Sequence, residues 1–308
     1  MTGPRIISLL PSATEIAVAL GFGDNLVGRS HECDFPPAVA HLPPCTATKV
    51  EKGLSSIEIE DRVQAILRQG LSVYSVDSDL LRQLAPDVIL TQSHCAICAV
   101  TPADLEEALQ AWVGAAPTLL SLAPESIDEL WDSIRLVART LNVEERGEAV
   151  VAGLARRLCD LAQRTAQEAR PRVAALEWID PIMAAGNWVP QLIEAAGGES
   201  LFAATGQHSP WIDWDQLITA DPDVIVFMPC GFQIPQTLQQ LAPLVEDPRW
   251  RTLSAVRQDR VFVADGHHFF NRPGPRLVES AEMLAEMFHP GLLDFGHHGQ
   301  AWIRLPRD

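Results

Sequence analysis

Tyrosine, basic residues and long apolar runs are all scarce in this chain. Tyrosine occurs once, at Tyr74, against eight tryptophans and ten phenylalanines. Lys and Arg total 23 against 40 Asp and Glu, a net charge of −17. So acidic a surface excludes nucleic acid or an anionic membrane as the main partner, because phosphate attraction needs basic side chains. No run approaches the ~18 apolar residues that a membrane helix needs, so membrane insertion is not expected. Six cysteines in 308 residues do not make a disulfide scaffold. Catalytic signatures are missing too: there is no G-x-S-x-G elbow, P-loop or H-E-x-x-H. Gly21-Phe22-Gly23 lacks a third glycine and follows a helical stretch, so it is no dinucleotide fingerprint. No enzyme is expected. Met1-Thr2-Gly3-Pro4-Arg5 leads straight into an apolar run, without the basic and apolar regions of a signal peptide. The expected location is therefore cytoplasmic, or periplasmic if the assigned start omits a signal peptide.

With 47% apolar and 20% charged residues, the chain is globular and long enough for two domains. Its landmarks come in pairs. Pro4-Arg5 precedes the apolar run 6–10, and Pro171-Arg172 precedes 173–176. Pro86-Asp87-Val88-Ile89-Leu90 is matched by Pro222-Asp223-Val224-Ile225-Val226, with Asp79 and Asp215 seven positions before each proline. Matched landmarks in register indicate duplication. Between the halves, Ser126 and Glu129 form a capping box ahead of Leu130, Ile134, Val137 and Leu141 at helical spacing. Helical spacing resumes after Asn142-Val143 and runs towards Pro171. Strands alternating with helices argue for parallel sheets with covered faces. The expected fold is α/β: two Rossmann-like lobes, 1–125 and 170–290, joined by a long helical link, 126–169. A tail, 291–308, holds His297-His298 as a solvated pair, and the ligand cleft is expected between the lobes.

In open α/β sheets, ligands bind beyond the carboxyl ends of the strands, where four loops here collect His and Cys. They contain His31, Glu32 and Cys33; His94, Cys95 and Cys98; Cys230; and His267, His268, Phe270 and Arg272. Cys95 and Cys98 form a C-x-x-C, but no second pair exists to complete a zinc tetrahedron. Thiolate–imidazole coordination of zinc or iron, redox chemistry, and plain packing all remain open for these cysteines. Trp178, Trp188, Trp211 and Trp214 crowd the front of the second half. Trp211 has the setting of a loop-borne platform for a flat ligand.

Residues 6–16 (IISLLPSATEI), Ala19-Leu20-Gly21, Val27-Gly28 and Asp34-Phe35-Pro36-Pro37 resemble the first lobe of substrate-binding proteins for cobalamin and ferric-siderophore ABC importers. Ala185-Gly186, residues 192–202 and Asn271-Arg272-Pro273-Gly274-Pro275-Arg276 resemble the second lobe. The resemblance covers nearly the whole chain and is closest to the cobalamin branch. It implies a corrinoid held between two lobes and a permease docked on Asp79 and Asp215, Asp standing where Glu is frequent. The implied first-lobe pocket takes in Ser12, His31, Glu32, Val50 and Gln92, with polar or aliphatic residues replacing aromatics. Its second-lobe side takes in Trp178, Trp188, Trp211, Phe270 and Arg272, with His268 where an acid would stand.

Three functional readings follow. The first is a non-catalytic binder of a corrinoid or related metal-bearing macrocycle. In it Trp178, Trp211 and Phe270 cover the flat faces, Arg272 binds carbonyl or phosphate groups, and His268 or His31 approaches the metal. The second is a binder of a metal ion or chelate through Cys33, His94, Cys95, Cys98, Cys230 and His267. The third is a corrinoid-processing or redox enzyme on the same scaffold.

Overall fold

A computed structural model describes residues 3–51, 53–68, 72–92, 105 and 116–306. Two compact units divide the chain: 1–124 with 128–152, and 125–127 with 153–308. The fold class is α/β, as expected.

In the first unit the apolar run after Pro4-Arg5 becomes β1 (Ile6–Ser8), buried throughout. Pro11 then opens α1 (Pro11–Ala19), where its missing N–H costs nothing, and Gly21 at φ +84° turns the chain out of the helix. β2 (Leu26–Arg29) follows, then β3 (Thr46–Thr48), which pairs antiparallel with β4 (Tyr74–Val76). Between β3 and β4, α2 (Ser56–Arg68) starts at the capping box visible in the sequence. Ser55 N–H donates to Glu58 Oε2 at 2.8 Å, and Glu58 N–H donates back to Ser55 Oγ. α3 (Ser78–Leu84) is capped by Asp77 and leads into β5 (Val88–Gln92); β6 (Thr118–Leu122) completes the sheet. The parallel order is β2-β1-β5-β6. Thr101-Pro102 with Asp104, a sequence suited to a helix start with proline where its missing N–H costs nothing, lies outside the described residues.

The helical link is two helices, α4 (Ile127–Thr140) and α5 (Glu144–Thr165), separated where Asn142 takes φ +56°. The division between units falls within α5.

The second unit repeats the scheme. β7 (Arg172–Trp178) is followed by the two-residue β8 (Met183–Ala184), α6 (Val189–Ala195) and β9 (Glu199–Ser200). α7 (Trp214–Ala220) leads into β10 (Val224–Phe227) and α8 (Ile234–Glu246), then α9 (Ser254–Arg257) and β11 (Val261–Ala264). α10 (Leu277–Phe288) and β12 (Trp302–Arg304) close the fold. β9-β7-β10-β11 are parallel in an order equivalent to the first unit, while β8 and β12 add antiparallel pairings at β7 and β11.

The tail is not a solvated appendage. α10 is buried around nearly its whole circumference, so its two inward carboxylates need partners, and the tail supplies them. Glu286 accepts from Phe295 N–H and, at 2.6 Å, from Trp302 Nε1. Glu282 takes both Arg157 nitrogens at 2.8–3.1 Å and lies 3.5 Å from His297 Nε2. His297 is thus half-buried in an ion-pair network, whereas His298 remains exposed against the Trp302 ring.

Candidate functional site

β7, β10 and β11 run parallel, so their carboxyl ends and the loops after them gather at one end of the second unit's sheet. Trp178, the last residue of β7, rests on Phe232 with ring centroids 5.4 Å apart. It pairs with Met183, and Met183 bridges to Trp211. Paired residues in a sheet direct their side chains to one face, so Trp178 and Trp211 share that face. Trp211 is 47% exposed, unusual for an indole held in a ladder. Trp178 Nε1 is buried with no hydrogen-bond partner among the described residues, a cost of about 1–3 kcal/mol.

The loop after β11 is built around Asp265. Its Oδ1 accepts the amides of His267 at 3.0 Å and His268 at 2.9 Å, and its Oδ2 meets His268 Nδ1 at 2.7 Å. Burial pushes the Asp265 carboxyl up, but the His268 hydrogen bonds and both nearby imidazoles hold it below the usual range. The two imidazoles meet edge to face at 4.6 Å, and Arg272 Nη2 lies 3.2 Å from His267 Nε2. Arg272 is largely buried, with 8% exposure. Asn271 binds this loop to the one after β10, donating at 2.9 Å to the carbonyls of both Met228 and Gly266. Gly266 is required there: a Cβ would lie 2.6 Å from Met228 O and closer still to Pro229 O.

In the first unit, Ser12 is buried in the first turn of α1, and Gln92 ends β5 with 8% exposure. His31 Nδ1 is 2.7 Å from Thr46 Oγ1, its ring 5.5 Å from Tyr74, and its Nε2 3.8 Å from Glu32. The Glu32 amide donates to Ser30 Oγ. Val50 packs partly buried on this unit's core.

A family model described as periplasmic binding protein matches residues 6–267. The chain belongs to the periplasmic binding protein family. A vitamin B12-binding protein of Vibrio cholerae is 26% identical over 286 residues, 91% of this chain and 87% of that one. An ABC transporter substrate-binding lipoprotein of Bacillus subtilis is 24% identical, covering 93% and 80%. Among solved structures, a periplasmic heme-binding protein from Roseiflexus shares the fold at a TM-score of 0.67 and 22% identity, covering 94% and 100%.

No described helix of this periplasmic binding protein is long and apolar enough to cross a membrane. The cytoplasmic expectation draws no support from these relatives, one named a lipoprotein and another periplasmic.

Several residue assignments need correction. Phe270 has no exposure and sits at φ +60°, its amide donating to Ser280 Oγ at 3.1 Å. Trp188, 7% exposed, donates Nε1 to Phe270 O at 2.6 Å. Both anchor the underside of the loop; neither offers a face to a ligand. Cys33 is fully buried beside Thr14 Oγ1 at 3.1 Å and Ser8 O at 3.8 Å, a core thiol. Cys45, also buried, has its thiol pushed up to about 11 by burial. Cys230 is exposed after β10. His94, Cys95 and Cys98 lie outside the described residues, and no two of the proposed thiolates meet within either unit among the described ones.

Asp79 and Asp215 each stand in the first turn of their helix, α3 and α7, and both are exposed. Asp79 is paired with Arg82. A shallow depression of about 440 Å³, lined by Glu168, Arg170, Asp223, Arg260 and His289, opens at the amino ends of the second unit's strands. That is away from the aromatic and histidine loops. Residue types alone missed Asp265 and Asn271. An Asp two and three places before a His pair was the available signal for Asp265.

Proposed function

We propose that this chain captures a corrinoid or a related metal-bearing macrocycle, without transforming it, and delivers it to an ABC importer permease. The observation that carries this reading is the exposed Trp211 indole on the same sheet face as Trp178, beside loops bearing His268 and Arg272. Two indoles supply apolar area for a planar ring system, and the guanidinium supplies fixed charge-assisted donors for carbonyl, carboxylate or phosphate groups at its rim. In this reading Ser12, His31, Glu32, Val50 and Gln92 supply the first lobe's ligand contacts, and exposed Asp79 and Asp215 form the permease contacts. The relatives support the ligand class, since one binds vitamin B12 and a structural neighbour binds heme by name.

Tryptophan fluorescence and calorimetric titration with hydroxocobalamin, and in parallel with hemin, test the reading. Saturable one-to-one binding of either is expected. Absence of binding to both would overturn it.

A further inference from the structure

We propose that Asn271 is a positioning residue for ligand capture, fixing the backbone that carries Arg272 relative to the Trp178 indole before any ligand arrives. This rests on the macrocycle reading and goes further, because Asn271 acts without contacting the ligand. A side-chain amide can turn either its oxygen or its NH2 towards a neighbour. Both atoms that Asn271 meets, Met228 O and Gly266 O at 2.9 Å, are acceptors. The nitrogen must therefore face them, one hydrogen for each.

Those two carbonyls belong to different loops. Met228 directly follows β10, and its amide donates to Leu176 O on β7 at 2.8 Å. Gly266 stands in the loop after β11, already too close to Met228 O and Pro229 O to carry a Cβ. One side chain thus joins the two loops at their tightest approach. A second tie runs beside it: the His267 amide donates to Phe232 O at 3.1 Å, and the Phe232 ring supports Trp178. From beneath, Phe270 is held by its buried ring, by Ser280 Oγ at its amide and by Trp188 Nε1 at its carbonyl. Arg272 is the next residue after Asn271, so its backbone starts from a point pinned on both sides.

The sheet does not depend on this tie. β7, β10 and β11 pair through their own ladders. Loss of the Asn271 donors should loosen the loops and leave the unit folded. In the unaltered protein the entropy of ordering these loops is lost on folding. Without Asn271 it is lost on binding, and affinity falls although no ligand contact has been removed.

Calorimetry with hydroxocobalamin and with hemin, and hydrogen exchange read by mass spectrometry, test this on the full chain. Asn271→Ala removes the side-chain amide. Asn271→Asp keeps its shape but turns a carboxylate oxygen towards two carbonyls. Each should weaken binding of whichever macrocycle the unaltered protein takes by about tenfold, and lower Tm by only about a few degrees. Amides 266–272 should exchange faster in the ligand-free variants and return to the unaltered rate at saturation, with β10 and β11 protected throughout. A merely stabilising role would speed exchange in the strands as well. Affinity within about twofold of the unaltered protein in both variants, or faster exchange that spreads to β10 and β11 in both, would overturn the assignment and leave the macrocycle reading standing. Failure of the unaltered protein to bind either macrocycle would overturn both.

Discussion

In the first unit, the Arg5 amide donates to Asp87 Oδ2 at 2.8 Å, and the Asp87 amide returns a bond to Arg5 O at 2.8 Å. In the second, Arg172 and Asp223 make the same reciprocal pair at 2.8 and 2.9 Å. The arginine side chains go further: Arg5 reaches the carbonyls of Leu84 and Ala85, and Arg172 reaches that of Asp221. Ala85 and Asp221 both take positive φ, 42° and 40°, as the chain turns from helix to strand. The repeated Pro-Arg and Pro-Asp phrases are thus two copies of one clasp, aligning the first strand of each sheet with its neighbour. The units part company at their edges. The second adds β8, whose Met183 pairs with Trp178 and bridges to Trp211, and β12, held down by buried Glu286. Duplication supplied the frame, and the unshared edge pieces carry the Met183 link to Trp211 and the locked tail.

The sharpest way to separate the units is to cut the tail contact that the first unit lacks. Glu286→Ala leaves the Trp302 indole and a backbone amide without their acceptor in a buried site. A loss of about 3 kcal/mol in urea unfolding followed by tryptophan fluorescence is expected. A loss comparable to that of a surface substitution would mean the tail does not stabilise the second unit.

Next comes the clasp itself. Asp223→Ala, at a half-buried position, should cost about 2 kcal/mol, and Asp87→Ala, at an exposed one, about 1 kcal/mol. The comparison breaks if thermal unfolding ranks them the other way. Trp211→Ala should weaken hydroxocobalamin binding by roughly 1–3 kcal/mol while leaving the unfolding midpoint in place. Unchanged affinity in calorimetry would remove Trp211 from the site.

The smallest effect concerns pH. Burial raises Glu282, but His297 and Arg157 bind its ionised form and hold it below its ordinary 4.5. Its contribution is present above 4.5 and lost as pH falls through the lowered value. The Glu282 hydrogen bond, working against burial, holds His297 above its ordinary 6.5. Its contribution is complete below 6.5 and lost as pH rises through the raised value. Stability of the second unit should therefore fall on both sides of a mildly acidic optimum. His297→Gln should flatten the alkaline limb of Tm against pH and also weaken the acid one, since His297 helps hold Glu282 ionised; an unchanged alkaline limb would show that another group sets it.

Much of the frame was legible because its signals are local. The Ser55–Glu58 box, the strands after Pro86 and Pro222, and Val261–Ala264 each follow from a few adjacent residues. β8, β9 and β12 were not, since two or three residues carry no period and their pairing is set by distant partners. α8 is not legible either, because Pro235 and Pro243 interrupt its pattern. At the site, residue type located the loops but not the direction of each ring. Trp211 and Trp188 read alike in sequence, yet one is exposed and the other donates into the core. His297 looked like a solvated tail residue because its partners, Glu282 and Arg157, lie on two separate helices.

Cys230 offers a practical handle on all of this. It is exposed two residues from Phe232, the ring on which Trp178 rests, whereas Cys33 and Cys45 are shut inside the first unit. With Cys95, Cys98 and Cys159 replaced by serine, a maleimide dye would attach at a single place, beside the proposed ligand face and clear of the clasp. The protein would then report its own occupancy as a change in brightness. It would become an optical sensor assembled from a residue that the fold already leaves in the open.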